Sequence, residues 1–532
     1  MLSREYGAIA GAGGVKDVTR QLSEALARSG RSVNVVLPLY GFIDPKKLGF
    51  SALDISFEID MPYVDTHRRE YVRVFSNKPA GSTEGEKEQA PGVTIYLIDA
   101  QRFLEKKSIY TYTAEEEVEN PFHRQGSGHY DYFAMNVLLQ KAALALIIKL
   151  GERPDIIHCH DGHTAMLPAM IREIEGYRHY FSKTGAVVTI HNAGRGYHQE
   201  VGDLPFAEAI TGLPAHIIKD NLLDEMFDPF LAASQYAVLN TVSENYAREL
   251  RETDDDALTG WLGHRLLGRG VKLAGVTNGI DPAEYDLEHP EKLGLPAGFS
   301  PLTRDLTGKK NCRERLVDDL ADNAVGKKTL GEVSQTGFLH KAPEQPLFTF
   351  VGRLTAQKGM DKLLGALETL LPLDRNFQVL ILGSGAKEIE STLLRLATTE
   401  EYEGRICVLR GYSPELANKI YAAGDFFLIP SQYEPCGLTD FMAQLFGNLP
   451  IVHHIGGLVK VKNGVTGFSY LEHKSAALMG AMQRAIKVYR KHPEKITDMQ
   501  QAAVECIHQH YTWDMILVQY LKLYQQALRQ TT

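Results

Sequence analysis

The sequence predicts an α/β protein built from two doubly wound domains, and three observations carry that expectation. Length is the first: 532 residues, at roughly 150 residues per domain, ask for two or three domains that each bury a substantial core. Rhythm is the second. Short β-branched or apolar runs alternate with turns and amphipathic helical stretches, the pattern of parallel βαβ units. Third, the rhythm occurs twice, on either side of Thr277-Asn278-Gly279-Ile280-Asp281-Pro282, a cluster of turn formers that suits a hinge. The expected division is residues 1–273, residues 274–510 and a final segment, 511–532.

In the first half, Ser32 to Pro38, Ile156 to His160 and Ala186 to His191 read as buried strands. Val15, Val18, Leu22 and Leu26 mark one face of a helix that stops near Gly30. A doubly wound domain needs a strand before its first Gly-rich turn, yet only Met1 to Ser3 have strand character ahead of Gly11-Ala12-Gly13-Gly14, so the first strand is expected as a stub or as a late start. In the second half, Leu347 to Gly352, Gln378 to Gly383, Ile406 to Arg410, Asp425 to Pro430 and Leu449 to His453 read as strands. Two stretches break the rhythm and read as insertions or loops: Asn77 to Pro121 and Pro296 to Pro346. Trp513 to Ala527 is amphipathic and is expected to pack back on the first domain.

Composition excludes several functions. With 57 Lys plus Arg against 66 Asp plus Glu, the net charge is −9, so no global basic field holds nucleic acid, and an anionic substrate must be gripped by local charges. The five cysteines, at 159, 312, 407, 436 and 506, are odd in number and widely spaced, as reduced thiols of a reducing compartment are. The apolar run from Val137 to Leu150 is interrupted by Gln140, Lys141 and Lys149 and falls short of a membrane span. No signal peptide is visible. A cytoplasmic, soluble protein with no membrane partner is expected.

Four segments carry candidate chemistry. Gly13 and Gly14 open the first helix, where free N–H groups suit a phosphate, although a plain tight turn fits equally. His158-Cys159-His160-Asp161-Gly162-His163 lies at a strand's carboxyl end, the edge at which open α/β sheets bind ligands. Its imidazoles and carboxylate also suit a metal hydrolase, with His191 and His453 as further ligands. The later motifs carry cations for phosphate rather than carboxylates for a metal, which argues against that alternative. Arg353 ends a strand and Lys358 follows at a helix start, a clamp for a departing diphosphate. Glu434-Pro435-Cys436-Gly437-Leu438 offers one carboxylate to sugar hydroxyls and the Gly437 and Leu438 amides to a phosphate. A glycosidase needs two carboxylates; this segment has one.

The chain resembles the bacterial glycogen synthase and starch synthase family of retaining glycosyltransferases, whose GT-B fold pairs two Rossmann-like domains. Arg353 to Gly359 (R-L-T-A-Q-K-G) is similar to the family's R-L-x-x-Q-K-G, Ser431 to Leu438 (S-Q-Y-E-P-C-G-L) to S-R-x-E-P-C-G-L, and Ile455-Gly456-Gly457-Leu458 to T-G-G-L. H-C-H-D-G-H matches H-x-H-D-W-H, and Thr189-Ile190-His191-Asn192 matches T-V-H-N. Thr241-Val242-Ser243 with Tyr246-Ala247, and Asn278-Gly279-Ile280-Asp281, complete the ordered set.

The resemblance implies an acceptor-side first domain and a nucleotide-sugar-binding second domain facing a cleft. It implies glucose transfer from ADP-glucose, without a cofactor, to an α-1,4-glucan, with UDP-glucose, another acceptor or a noncatalytic glucan-binding role as alternatives. Arg353, Lys358, Gly13, Gly14, Gly437, Leu438, Gly456 and Gly457 would hold the nucleotide sugar, and Glu434, His191 and Asp161 would act at the reacting sugar. His160, Asn192 and Arg195 would line the acceptor side. The resemblance also marks departures. Gly11 stands where the family has lysine, Gly162 where it has tryptophan, Gln432 for arginine, Ile455 for threonine and Lys460 for aspartate. Arg195 or Arg4, rather than helix-bound Lys16, is the expected substitute for the missing lysine.

Overall fold

The computed structural model describes residues 1–78, 92–321, 329–330 and 333–531. The chain forms two compact units. Met1–Gly279 together with Trp513–Thr532 is the first, and Ile280–Thr512 is the second.

The sheet of the first unit runs in the order Ser51–Pro62, His67–Ser76, Val93–Asp99, Val33–Pro38, and then, across Leu2, Ile156–His160, Gly185–Ile190, Val238–Thr241 and Ala274–Gly275. Leu2 is the stub strand: it forms parallel bridges to both Val36 and Cys159, its N–H donating to His158 O at 2.9 Å and its carbonyl accepting from His160 N at 3.1 Å. Three residues thus join two four-stranded halves. The helix Val15–Arg28 follows, and Gly30, at φ 85°, ends it in the left-handed conformation that glycine adopts without strain.

The expected irregular stretch from Asn77 is corrected in part, while residues 79–91 lie outside the described residues. Val93–Asp99 is a buried strand parallel to Val33–Pro38. The antiparallel hairpin before it, Ser51–Pro62 with His67–Ser76, escapes a search for parallel βαβ units because one of its faces is polar. Tyr132–Lys149 is an 18-residue helix long and apolar enough for a membrane span by composition, contrary to the reading that the run falls short. Its residues are mostly buried in the unit, Phe133, Leu138 and Leu144 among them, as in a core helix.

The second unit centres on an eight-stranded sheet in which all five expected strands appear: Ile406–Arg410, Gln378–Leu382, Leu347–Val351, Phe426–Ile429 and Leu449–His453, adjacent and parallel in that order. Both faces are covered, as a parallel sheet requires. Phe348, Val379 and Ile381 pack to one side, Leu347, Leu380 and Leu382 to the other. The Pro296 to Pro346 stretch is likewise more ordered than expected. Thr307–Ala321 is a helix that buries Cys312, Leu316, Val317 and Leu320, and Val333–Gly337 adds an antiparallel strand beside Ile406–Arg410. Residues 322–328 and 331–332 lie outside the described residues. Within that helix Lys309 is buried, its ammonium donating to the carbonyls of Ala422, Gly424 and Phe446.

The last helix, Trp513–Arg529, belongs to the first unit. The Trp513 indole N–H donates to Gln21 Oε1 at 2.6 Å, and the Tyr524 hydroxyl meets His158 Nδ1 at 2.9 Å. His158 is 2 % exposed, so removing its partner leaves a buried polar nitrogen unmatched, a loss of about 1–3 kcal/mol. Tyr524→Phe is therefore expected to lower the melting temperature by several degrees in a thermal scan, and an unchanged melt would deny the helix this anchoring role.

Candidate active site

In the second unit the candidate residues gather at the carboxyl ends of neighbouring parallel strands. Arg353 lies just past Leu347–Val351 and Glu434 past Phe426–Ile429, so both stand on one edge of the sheet. Among the described residues the Arg353 guanidinium has no ion-pair or hydrogen-bond partner. Gly359, at φ 71°, packs so closely that a Cβ would fall 1.8 Å from the Pro430 carbonyl oxygen; only glycine lets the Arg353–Lys358 loop close onto the next strand end. That approach brings Lys358 Nζ to 2.7 Å from Glu434 Oε2, and the Ser431 hydroxyl donates to the same oxygen at 3.0 Å. Burial opposes the charge on Glu434, but Lys358, Ser431 and Lys460 outweigh it and hold the carboxyl below its usual range.

The Gly456-Gly457 pair works by the same geometry. A Cβ on Gly456 would sit 2.0 Å from Glu434 O, one on Gly457 2.1 Å from Cys436 O, and Gly457 N donates to Glu434 O at 3.0 Å. Two motifs far apart in sequence are thus docked backbone to backbone.

Lys460 is the residue sequence reasoning missed. It was read only as a departure, yet its buried ammonium donates to the carbonyls of Cys436, Gly437 and Gly457 and pairs with Asp440 at 3.1 Å. In a trans peptide the C=O and the following N–H point opposite ways. Drawing the Cys436 and Gly437 carbonyls inward therefore turns the Gly437 and Leu438 N–H groups away from Lys460. Burial, partly offset by Lys460, raises the Asp440 carboxyl to about 6. A charge at 440 matched by an opposite one at 460 was the available sequence signal.

In the first unit, Asp161 follows the strand Ile156–His160 at φ 60°, a left-handed conformation uncommon outside glycine and typical of strained functional positions. Its Oδ1 accepts from His191 N at 2.7 Å and Asn192 N at 3.4 Å. Burial nevertheless pushes the carboxyl up to about 7. His160 Nδ1 lies 2.9 Å from His191 Nε2, so one nitrogen donates and the other accepts. Behind them His158 Nε2 meets Thr189 Oγ1 at 2.7 Å. Burial lowers all three imidazoles, His191 to about 3, leaving a neutral stack. No three His, Cys, Asp or Glu side chains converge as a metal-holding group among the described residues, and the His453 ring nitrogens lie 2.9 Å from the Ser431 carbonyl and 3.2 Å from that of Leu471, one of which accepts the ring N–H.

One departure acquires a physical reason. A Cβ on Gly162 would lie 2.2 Å from His198 O, where the backbone leaves no room. At Gly11 the neighbour is the movable stem of Lys16, whose Cδ lies 2.1 Å from where a Cβ would stand. The expected substitutes for the missing lysine are placed elsewhere. Arg4 is buried, its guanidinium donating to Tyr40, Asn136 and the Ile109 carbonyl, and Arg195 pairs with Asp224 at 3.1 Å. Lys16, discounted as helix-bound, is the cation against Gly11, with its ammonium on Asp17 at 2.7 Å. The Gly13 amide is engaged too: Glu5 Oε2 accepts from Ala12 N at 2.6 Å and Gly13 N at 2.9 Å. Gly14 is the N-cap of Val15–Arg28.

Residues 1–264 match the family described as starch synthase catalytic domain, and residues 336–503 match glycosyl transferases group 1. A glycogen synthase of Streptococcus agalactiae is 30% identical over 526 residues, covering 97% of this chain and 96% of that one. The chain belongs to the glycogen synthase and starch synthase family. A glycogen synthase of Lacticaseibacillus casei is similar at 29% identity, again over 97% and 96% of the two chains. The catalytic domain of starch synthase IV from Arabidopsis thaliana, bound to ADP and acarbose, shares the fold with a TM-score of 0.77 at 24% identity, over 99% and 98% of the chains. Sucrose-phosphate synthase from Thermosynechococcus elongatus does so at 0.57 and 17% identity, over the same shares. The GT-B fold and the glycosyltransferase class of this family member are thereby fixed.

Asp161 yields a pH prediction. In the fold it stays protonated up to about pH 7, whereas an unfolded aspartate ionises near pH 4. Between those values only the folded state holds the proton, so this group's contribution to stability falls as pH rises. Asp161→Asn removes the dependence. Its melting temperature relative to the parent should climb from about pH 4 to about pH 7 and level off above; a difference flat across that window contradicts the assignment.

Proposed function

We propose that this chain transfers glucose from ADP-glucose to the nonreducing 4-hydroxyl of an α-1,4-glucan with retention, releasing ADP. The observation that carries the reading is the state of Glu434. A glycosidase acid needs a raised pKa and a second carboxylate as partner; Glu434 is held low and bound to a cation. Such a group suits binding sugar hydroxyls beside a diphosphate rather than delivering a proton. ADP as the leaving group is favoured by the Arabidopsis neighbour, which holds ADP.

Each residue then has a task. Arg353 and Lys358 neutralise the charge that grows on the departing diphosphate, and the Gly437 and Leu438 N–H groups add donors without reorganisation. Glu434 accepts from the glucosyl hydroxyls and restrains Lys358 until donor arrives. The leaving phosphate takes the acceptor proton, so no separate base is required. On the acceptor side, neutral His191 offers a hydrogen-bonding group without competing charge, with Asp161 fixing its loop through the His191 and Asn192 amides.

The test is incubation with glycogen and either ADP-glucose or UDP-glucose, measuring the nucleoside diphosphate released. ADP release well above UDP release is expected. Arg353→Ala and Lys358→Ala should each lose about 2–4 kcal/mol of transition-state stabilisation, roughly thirty- to a thousandfold in turnover, with melts near the parent's. No release from either donor, or full activity in both variants, would contradict the reading.

A further inference from the structure

The first unit carries a second concave surface apart from the strand-end loops, an open pocket of about 540 Å³ whose lining includes Asp224, Glu225, Gly260, Trp261, His264 and Arg265. Its distinctive feature is Trp261. The indole is 44 % exposed, and its backbone lies at φ 66° directly after Gly260 at φ 69°. A bulky residue in that region is an outlier that the surrounding structure must enforce.

The enforcement is visible. Asp256, fully buried, accepts through its carbonyl from Trp261 N at 2.9 Å, and its carboxylate accepts from Gly263 N at 3.1 Å, His264 N at 2.8 Å and the His264 ring Nδ1 at 2.8 Å. The His264 ring then meets the indole edge to face, centroids 5.1 Å apart. Backbone and ring are both pinned, and the indole is held out beside solvent. Across the pocket, Asp224 and Glu225 form the two-residue tip of a hairpin, both at positive φ, as a type I′ turn requires. Asp224 pairs with Arg195, four residues beyond His191 on the same loop, so the pocket is continuous with the acceptor-side segment.

We propose that this pocket is an α-glucan-binding subsite, with Trp261 as the platform on which one glucosyl ring stacks. The inference rests on the glucan-synthase reading and extends it to residues outside the motifs. A pyranose has an apolar C–H face and an equatorial belt of hydroxyls. A rigid aromatic face with carboxylates, an imidazole and a guanidinium around it matches both. A nucleotide phosphate is a poor occupant, because Asp224 and Glu225 oppose an anion. Holding the chain here, away from the reacting hydroxyl, favours long acceptors over short ones.

The test uses the chain's own fluorescence. Its two tryptophans are Trp261 and Trp513, and Trp513 is 2 % exposed, so a glucan that stacks on the pocket changes emission through Trp261. Maltoheptaose titrated into the full chain, with no nucleotide present, should give a saturable change in emission, with dextran as the control for bulk effects. Trp261→Gly, which suits the left-handed backbone and so preserves the fold, should abolish the change. It should also raise the half-saturating glycogen concentration by about tenfold, with turnover at saturation within about twofold, and Trp261→Phe should restore part of the loss. Emission that stays flat, or that changes equally in Trp261→Gly, overturns the subsite even where ADP is released from glycogen reactions. Absence of ADP release with a Trp261-dependent emission change would instead fault the transfer reading and leave glucan binding in place.

Discussion

The pair between Lys358 and Glu434 is the interaction on which the second unit's loops converge. Seventy-six residues separate the two in the chain, and a lone carboxylate buried as deeply as Glu434 would take up a proton rather than remain charged. Meeting at 2.7 Å demands that the Arg353–Lys358 loop and the Ser431–Gly437 loop touch along their backbones. Gly359, Gly456 and Gly457 satisfy that demand by having no Cβ where the neighbouring carbonyls lie. Lys460 completes the arrangement from below, drawing two carbonyls inward so that the opposite faces of their peptides offer N–H groups. The glycines and both lysines serve one end: a set of charges and donors held in place by the backbone, in which, on the proposed reading, only the Lys358 ammonium changes partner when a diphosphate arrives.

The first unit is built on the opposite electrostatic principle. His158, His160 and His191 form a buried neutral stack, closed from behind by Tyr524 of the last helix and Thr189 of the neighbouring strand. Asp161, whose carboxyl burial raises to about 7, carries less charge there than an exposed aspartate would. Cation-bearing strand-end loops in the second unit and a neutral imidazole stack in the first suit the proposed reaction, in which the departing group is an anion and the acceptor an uncharged polysaccharide. The platform proposed at Trp261 lies in the same unit, where the indole face would meet an uncharged sugar ring while Asp224 and Glu225 disfavour an anion.

Much of this was legible in the sequence because strand-end loops advertise themselves. Parallel strands buried on both faces read as continuous apolar runs, and Leu347 to Val351 or Gln378 to Leu382 could hardly be read otherwise. The short strand at Leu2 was legible only in part: three residues with strand character stood where a strand was needed, which suited a stub or a late start alike, and the bridges to Val36 and Cys159 are what show it. What escaped has a common cause: it depends on side chains meeting across sequence. The hairpin Ser51–Pro62 and His67–Ser76 carries one polar face, and Thr307–Ala321 hides its apolar stripe among charges whose partners lie elsewhere, as Lys309 shows. Gly11 and Gly162 read only as departures from the family pattern, whereas in the fold Lys16 and the His198 backbone lie where a Cβ would stand. Lys460 read as a missing aspartate because its three carbonyl partners are backbone atoms that no residue identity records. The left-handed backbone of Trp261 is set by Asp256, five positions earlier, through bonds that composition does not reveal.

The account stands most directly on Glu434 holding Lys358 in place of the donor phosphate. Calorimetric titration of ADP into the parent and into Glu434→Gln, with turnover on glycogen measured on the same preparations, tests it. ADP should bind the variant at least as tightly as the parent, because Lys358 is released from its partner, while turnover falls by about a hundredfold or more. Loss of ADP binding in a variant whose melt is unchanged, or turnover that survives the substitution, would contradict the account.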